Sequence, residues 1–131
     1  NQSAIGRGRL DEATLKRIHD KLLDAVTAHG GAINAIYYCP HAPEAGCHCR
    51  KPAPGLIEQA LDSTGVSPAA ALMIGDSQRD LLAAQQASVK AWLVRTGHGR
   101  ATEKEHSAVS KIPVFDDLAG AVDAILEADH A

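Results

Sequence analysis

The chain has 131 residues, a formal net charge of −3, and 45% apolar against 22% charged residues. This length suits one domain, and the composition is that of a folded protein rather than a disordered one. The slightly acidic balance provides no basic field, and no apolar run approaches the roughly 20 residues that cross a bilayer. We therefore expect no nucleic-acid partner, no membrane partner and, in the absence of a signal-peptide pattern, a cytoplasmic location.

The first long element is predicted to be an amphipathic helix between Asp11 and His29. Its apolar residues recur at the spacings of three and four that mark one helix face: Leu15, Ile18, Leu22 and Val26. Asp11 is a suitable N-cap, and the pair Gly30-Gly31 is a suitable stop. The apolar stretch AIYY, residues 35–38, then predicts a short buried strand ending at Cys39.

Strands and helices alternate in the remainder of the chain. A helix is predicted from Pro54 to Gly65, and another over residues 78–87. Three further strands are predicted from AALMIG, KAWLV and IPVF, at residues 70–75, 90–94 and 112–115. Asp116 is expected to cap a final helix whose apolar residues are Leu118, Val122, Ile125 and Leu126. The segment between these last elements, residues 100–111, is expected to be the most mobile loop.

The alternation of helices with continuously apolar strands predicts the fold class. Strands of that kind are buried on both faces, so we expect an α/β fold with a parallel sheet and helices on both of its faces. We interpret residues 1–131 as a single domain and expect a monomer.

All three cysteines lie within residues 39–49, in the pattern Cys39-x-His41 followed by Cys47-x-Cys49. Residues two apart in an extended segment point the same way, so each pair offers two donors on one side. Four nitrogen and sulfur donors match a structural zinc site, and they disfavour Mg²⁺ and Ca²⁺. Three free thiols are the alternative, whereas an odd, closely spaced set argues against a disulfide framework. His48 lies between two ligands and is left out of the site.

Asp76 follows a predicted buried strand, at the edge of the sheet where α/β proteins bind ligands. Asp80 comes one helical turn later on the same side. Two carboxylates there would suit Mg²⁺, which needs few protein ligands when a phosphate and water complete its coordination. The alternative is that an acidic residue or Ser77 only caps the following helix.

Arg50 and Lys51 follow the cysteine cluster directly. Lys51 precedes Pro52 and Pro54, which restrict the backbone, and a lysine held in this way is suited to stabilise a phosphoryl group. An ordinary solvated basic pair is the alternative. The N-terminal stretches NQS and GRG add donors that could surround a phosphate, although they indicate little alone.

Three stretches together resemble the haloacid dehalogenase (HAD) superfamily of phosphatases: NQSAIGRG, CPHAPEAGCHCRKPAPG and IGDSQRD. Within it the chain is similar to the D-glycero-D-manno-heptose 1,7-bisphosphate 7-phosphatase branch, which has a zinc loop just before the catalytic lysine. The resemblance runs from Asn1 to at least Gly99. It implies a Rossmann-like fold and Mg²⁺-dependent hydrolysis of the sugar 7-phosphate through a phosphoaspartyl intermediate. The product would enter heptose synthesis for lipopolysaccharide or a related surface glycan.

The resemblance also implies roles for individual residues. Lys51 would be the catalytic lysine that stabilises the phosphoryl group, and Arg50 would recognise the substrate. Asp76 would bind Mg²⁺, with Ser77 beside the metal and Asp80 as a supporting carboxylate.

Two larger sets are implied in the same way. The substrate-contacting stretch of the family matches Asn1, Gln2 and Ser3. The zinc ligands of the family match Cys39, His41, Cys47 and Cys49.

The chain departs from the family pattern in two places. Ala4 stands where the family usually has glycine, which slightly tightens a turn. More seriously, the 131 residues contain no Asp-x-Asp motif, whose first aspartate is the nucleophile and whose second is the general acid and base. The Thr or Ser expected just before Asn1 is missing as well. We therefore expect this chain to be the C-terminal portion of a longer enzyme, without the N-terminal strands of the fold and inactive alone.

Two other functions are compatible with parts of this sequence. Histidinol-phosphate phosphatase shares the zinc loop, but typically has Asp at the position of Ser3 and lacks the IGRG run of residues 5–8. The second alternative is a non-catalytic binding module stabilised by zinc.

Overall fold

The computed structural model describes residues 1–105 and 111–130. It divides into two compact units, Asn1–Arg50 and Lys51–Ala131, which are described separately below. The single-domain interpretation of the sequence stays a prediction.

The first unit contains helix α1 (Ser3–Gly6), helix α2 (Glu12–Ala28) and a 3₁₀ turn at Pro43–Ala45. The prediction for α2 is confirmed, because the Asp11 side chain accepts a hydrogen bond from the Thr14 N–H at 2.7 Å, as an N-cap does. Its apolar face is covered only in part: Leu15 is 2% exposed, whereas Ile18 is 53% exposed. Among the described residues, no helix combines the length and the apolar character that crossing a membrane requires.

The strand predicted at residues 35–38 is wrong. Residues 31–40 are not in any strand, and the one sheet in the described part of the chain lies in the second unit. An apolar extended segment becomes a strand only when its backbone pairs with another strand. Here the Cys39 carbonyl accepts instead from the Gln2 N–H at 2.7 Å, next to a helix, and the Tyr38 ring packs against His19.

The second unit is an α/β arrangement with a parallel sheet, as predicted. Its strands are β1 (Leu72–Gly75), β2 (Lys90–Val94) and β3 (Val114–Phe115), hydrogen-bonded in the order β1-β2-β3. Its helices are α3 (Gly55–Thr64), α4 (Gln78–Gln86), α5 (Gly99–Glu105) and α6 (Leu118–Asp129), with a 3₁₀ turn at Pro68–Ala70. The strand pairs are parallel, with Leu72 opposite Lys90 and Leu93 opposite Val114.

The core of the second unit is built from small and branched residues. Leu93, in the central strand, is fully buried. A buried cluster beneath α4 comprises Ala84, Ala87 and Val89, and it packs against Ile57, Leu61, Ala71, Met73 and Ala91. Alanine on α4 allows a close approach to the sheet, which fixes the strand end and helix start that follow one another at Asp76 and Ser77.

One prediction near the C-terminus is wrong. Asp117, rather than Asp116, caps α6 by accepting from the Gly120 N–H at 2.9 Å. Asp116 instead accepts from Arg95 Nη1 at 2.8 Å, a long-range ion pair that sequence spacing does not reveal. The apolar residues of α6 are largely exposed, with Leu118 at 57%, and the buried residue of this helix is Ala121.

The loop predicted at residues 100–111 is helical in its first half. Residues 100–105 belong to α5. In this helix the carboxylate of Glu103 accepts hydrogen bonds from Arg95 Nε and Nη2, each at 2.8 Å. This bidentate pair holds α5 against the end of β2. Residues 106–110 of the predicted loop lie outside the described residues.

The close contact between α5 and β2 leads to a prediction about Gly99. A Cβ atom there would overlap the Val94 carbonyl oxygen, which is backbone and has little freedom to move. Gly99→Ala is expected to lower the free energy of unfolding by about 3 kcal/mol or to prevent folding. Urea denaturation of the full-length gene product measures the change.

Gly120→Ala in α6 is the matched control, since its added Cβ would meet only Asp117 Oδ1 at an ordinary 3.6 Å. Alanine is a better helix former, so this variant should be as stable as the wild type or gain up to about 1 kcal/mol. Wild-type stability of Gly99→Ala would show that α5 does not approach β2 as described.

Candidate active site and thiol cluster

Asp76 lies directly after β1, at the carboxyl end of the parallel sheet. Its carboxylate Oδ2 accepts from the His98 N–H at 2.9 Å, and its main-chain oxygen accepts from Thr102 Oγ1 at 2.9 Å. Among the described residues, no hydrogen-bond donor reaches Oδ1. The side chain is therefore held by one carboxylate oxygen and presents the other.

Asp80 is almost fully buried and both of its carboxylate oxygens are in use. Oδ2 accepts from the main-chain N–H groups of Asp76 and Ser77, at 3.1 and 3.0 Å, and from Ser77 Oγ at 2.9 Å. With Ser77 it forms the capping box of α4. Oδ1 accepts from Lys51 Nζ at 2.5 Å. The capping alternative raised for this stretch thus describes Ser77 and Asp80, but not the side chain of Asp76.

The surroundings of Asp80 keep it ionised. Burial would raise its pKa, but the hydrogen bond and positive charge of Lys51, together with the Ser77 hydrogen bonds, outweigh burial and hold the pKa below its ordinary value. A buried carboxylate therefore stays negative at neutral pH, and it can fix an ammonium group beside the end of β1.

The backbone around Lys51 is fixed by a second contact. The Pro52 carbonyl accepts from Gln86 Nε2 of α4 at 2.9 Å. The Lys51 side chain is about one quarter exposed, so its ammonium group borders solvent while bound to Asp80. The structure thus brings four predicted site residues of the second unit together: Lys51, Asp76, Ser77 and Asp80.

This arrangement fits Mg²⁺ through one carboxylate. Mg²⁺ prefers oxygen ligands and keeps several waters, so a single protein carboxylate and a substrate phosphate are an ordinary set. Asp76 offers an oxygen of this kind, whereas Asp80 has no oxygen left. Gly97, at φ +56°, lies directly against this carboxylate, since a Cβ there would overlap Asp76 Oδ2.

The first unit brings the four predicted zinc ligands together. Their donor atoms all lie within 4.8 Å of one another. Cys39 Sγ is 3.4 Å from Cys47 Sγ, and His41 Nδ1 is 3.5 Å from Cys39 Sγ and 3.2 Å from Cys49 Sγ. Tetrahedral zinc with Zn–S near 2.3 Å and Zn–N near 2.0 Å places its donors roughly 3.5–3.8 Å apart. The spacing and chemistry of the cluster therefore fit zinc.

Crowding of the thiols lowers the pKa of Cys47 and raises the pKa of Cys49. Burial works against ionisation of Cys47, but hydrogen bonds from Cys39, Cys49 and the Arg50 backbone bring its pKa down to about 7. Burial, followed by the contacts with Cys39 and Cys47, raises the pKa of Cys49 to about 12. Ionisation of Cys47 is therefore favoured and that of Cys49 is opposed, and a bound cation would offset the repulsion between the two thiolates.

The loop that carries the thiols is shaped by close backbone contacts within the first unit. A Cβ atom on Gly6 would overlap the main chain at His41 and Ala42, so α1 ends directly against the loop. The Gln2 N–H binds the Cys39 carbonyl, which places the predicted substrate-binding stretch Asn1–Ser3 beside the cluster. Arg50, the last residue of the unit, has a buried Nη1 without a hydrogen-bond partner among the described residues.

Sequence reasoning missed the residues that hold Asp76 from the far side. Thr102 and the His98 main chain contact it across more than 20 residues of sequence. Gly97 lies in the stretch RTGHGR, residues 95–100, whose two glycines are typical of a turn. No local pattern identifies Thr102 or its neighbour Glu103.

Comparison with known proteins gives the same family from both sequence and structure. A family profile described as HAD-hydrolase-like matches residues 48–121. D-glycero-β-D-manno-heptose-1,7-bisphosphate 7-phosphatase of Bordetella bronchiseptica is 43% identical over 97% of this chain and 71% of that enzyme. The enzyme of the same name from Pseudomonas aeruginosa is 40% identical over the same shares.

Two solved structures extend the match to the fold. D,D-heptose 1,7-bisphosphate phosphatase from B. bronchiseptica, complexed with magnesium and phosphate, has a TM-score of 0.93 over 97% of this chain and 71% of that chain. The corresponding enzyme from Burkholderia thailandensis has a TM-score of 0.74 at 32% identity, over 96% of this chain and 71% of that one. The chain belongs to the D-glycero-β-D-manno-heptose-1,7-bisphosphate 7-phosphatase family of HAD-like hydrolases.

Proposed function

We propose that this chain supplies the phosphoryl-binding and Mg²⁺-binding part of a phosphatase that removes the 7-phosphate of D-glycero-D-manno-heptose 1,7-bisphosphate. The observation that carries the proposal is the link from Lys51 through Asp80 to Asp76. That link places an ammonium group and an available carboxylate oxygen at the carboxyl end of one sheet. The named relatives, which share 43% and 40% of their aligned residues with this chain, support the substrate.

The two charged groups have complementary tasks in phosphoryl transfer. Bound Mg²⁺ would neutralise charge on the transferring phosphoryl oxygens. Asp76 would hold the metal through Oδ1, while its Oδ2 stays on the His98 N–H. Lys51 would offset the remaining negative charge as a point donor, and Asp80 keeps its ammonium in place between turnovers.

Other parts of the proposal come from the family. Asn1, Gln2, Ser3 and Arg50 would bind the substrate. The attacking aspartate of the family is not among these 131 residues. The reaction would take place in the cytoplasm, in heptose synthesis for a surface glycan, and in a monomer.

The substrate is tested with the full-length gene product and Mg²⁺. We expect phosphate release from heptose 1,7-bisphosphate, with a kcat/KM well above that for histidinol phosphate. Lys51→Met should lower kcat by about 100-fold or more, because the lost charge acts on the transition state. Release of inorganic phosphate from the two substrates measures both effects.

Lys104→Met, on α5, is a control that removes one exposed lysine without touching the Asp76 network. A preference for histidinol phosphate would overturn the substrate assignment. Absence of hydrolysis of any sugar phosphate would favour the binding-module alternative.

We also propose that the thiol cluster binds a structural zinc ion. Within the first unit, the buried apolar side chains among the described residues are only Leu15 and Cys39. So small a core gives little stability without a further constraint, and four ligands around one metal provide it. The last ligand, Cys49, precedes Lys51 by two residues, so zinc would also order the chain leading to the catalytic lysine.

Zinc binding is tested by elemental analysis of the purified full-length protein. One zinc per chain is expected, and Cys47→Ser should lose most of it together with several degrees of thermal stability. His48→Asn should retain the metal, because His48 is not among the four clustered donors. Full zinc content in Cys47→Ser, or loss in His48→Asn alone, would contradict the site.

The role of Asp80 gives a pH-dependent prediction. Its pKa is lowered in the folded protein, so its stabilising effect is complete above the ordinary carboxyl value near 3.9 and disappears as pH falls through the folded value. Asp80→Asn should therefore destabilise the protein by about 2 kcal/mol at pH 7, and the difference should shrink below about pH 4. Urea denaturation of both proteins over pH 3–7 measures it.

Asp123→Asn is the matched control, since Asp123 is an exposed residue of α6. It should change stability little at any pH. A constant difference between wild type and Asp80→Asn from pH 7 to pH 3 would show that the charge of Asp80 does not matter.

A further inference from the structure

Thr102 has a buried side chain whose hydroxyl has a hydrogen-bond partner outside its own helix, α5. It is 5% exposed, and with Asp80 it makes up the buried polar side chains of the described residues. A buried hydroxyl is costly unless it is hydrogen-bonded. Thr102 Oγ1 lies 3.2 Å from the His98 carbonyl one turn back, a common local contact for threonine in helices. It lies closer, at 2.9 Å, to the main-chain oxygen of Asp76, which is 26 residues away in sequence.

The same end of α5 binds Asp76 a second time. The His98 N–H donates to Asp76 Oδ2 at 2.9 Å, while the Thr102 N–H donates to the His98 carbonyl at 3.0 Å. The turn at His98 and helix α5 therefore bind both the main chain and the carboxylate of Asp76. With Oδ2 fixed, the direction of Oδ1 is fixed as well.

The ion pairs of Arg95 stabilise the position of α5 beside Asp76. Arg95 follows β2 and binds both carboxylate oxygens of Glu103, the residue next to Thr102, and one oxygen of Asp116. A bidentate pair has a defined geometry, so it fixes α5 along its axis as well as its distance from the sheet. The position of the Thr102 hydroxyl is thus set by contacts outside the metal site.

We infer that Thr102 is a positioning residue for magnesium binding, acting through Asp76; this inference rests on the proposed function. Mg²⁺ demands near-octahedral geometry, so a small rotation of a carboxylate that binds it weakens binding. Without the hydroxyl, the Asp76 main-chain oxygen loses a donor, and the strand end and the His98 turn can separate.

The test uses the full-length gene product in three forms: wild type, Thr102→Val and Thr102→Ser. Calorimetric titration with Mg²⁺ alone measures binding without substrate, and NMR-detected hydrogen exchange follows the His98 amide. Thr102→Val should bind Mg²⁺ about three- to tenfold more weakly, as expected for one lost hydrogen bond, and its His98 amide should exchange several-fold faster. Thr102→Ser keeps the hydroxyl and should stay within about twofold of the wild type.

Thr64→Val is the matched control. The Thr64 hydroxyl donates to the Ala60 carbonyl within α3 at 2.8 Å, which reproduces the local contact of Thr102 without the bond to Asp76. Its Mg²⁺ affinity should equal that of the wild type. Should Thr102→Val fail to fold, Thr102→Ala, which also removes the hydroxyl, takes its place: weaker Mg²⁺ binding and faster His98 exchange support the inference, and wild-type values of both overturn it.

The outcomes separate this inference from the proposed function. Equal Mg²⁺ affinity in Thr102→Val and the wild type overturns the role of Thr102, even when the enzyme hydrolyses heptose bisphosphate. Weakened Mg²⁺ binding in Thr102→Val supports that role, even when the sugar substrate proves to be a different one.

Discussion

The carboxylate of Asp80 is the interaction on which the second unit depends. It is buried, it is ionised, and it accepts four hydrogen bonds that arise from three parts of the unit. Two of these donors belong to Ser77, the N-cap of α4, one to Asp76 directly after β1, and one to Lys51. A buried carboxylate whose oxygens are hydrogen-bonded is stable, whereas removing its cationic partner leaves its charge uncompensated. The helix start, the strand end and the ammonium group are therefore fixed together.

The first unit achieves order by a different route. It has few buried apolar side chains and no β-pairing among its described residues, so its loop relies on backbone contacts such as Gly6 against His41 and on the clustered donors. The donors converge from a loop of eleven residues, which is too short to bury much apolar surface. Chain geometry and ligand chemistry take the place of a hydrophobic core.

Local signals explain why much of this structure could be predicted from the sequence. Helix α2 was predicted from its N-cap and its apolar period, and β2 from a continuous apolar run. The clustering of the four donors followed from their spacing alone. The proximity of Lys51 and Asp76 did not: it came from the family resemblance, and only the structure shows that Asp80 connects them.

The errors share a physical cause, which is that partners distant in sequence decided the outcome. Residues 35–38 have strand-like composition, but a strand needs a lateral partner. Asp116 and Asp117 are equivalent as caps by composition, and Arg95 engages the former. Thr102 had no local pattern at all.

Because one side chain both caps α4 and holds Lys51, the helix start and the position of the ammonium group cannot be changed independently at this residue. A substitution that improved the helix start but lost the ion pair with Lys51 would alter one contact at the expense of the other. Insertions or deletions between Ser77 and Asp80 would break both contacts in a single event. Evolution of this segment should therefore proceed by changes in the intervening residues 78 and 79, which face solvent and take part in neither.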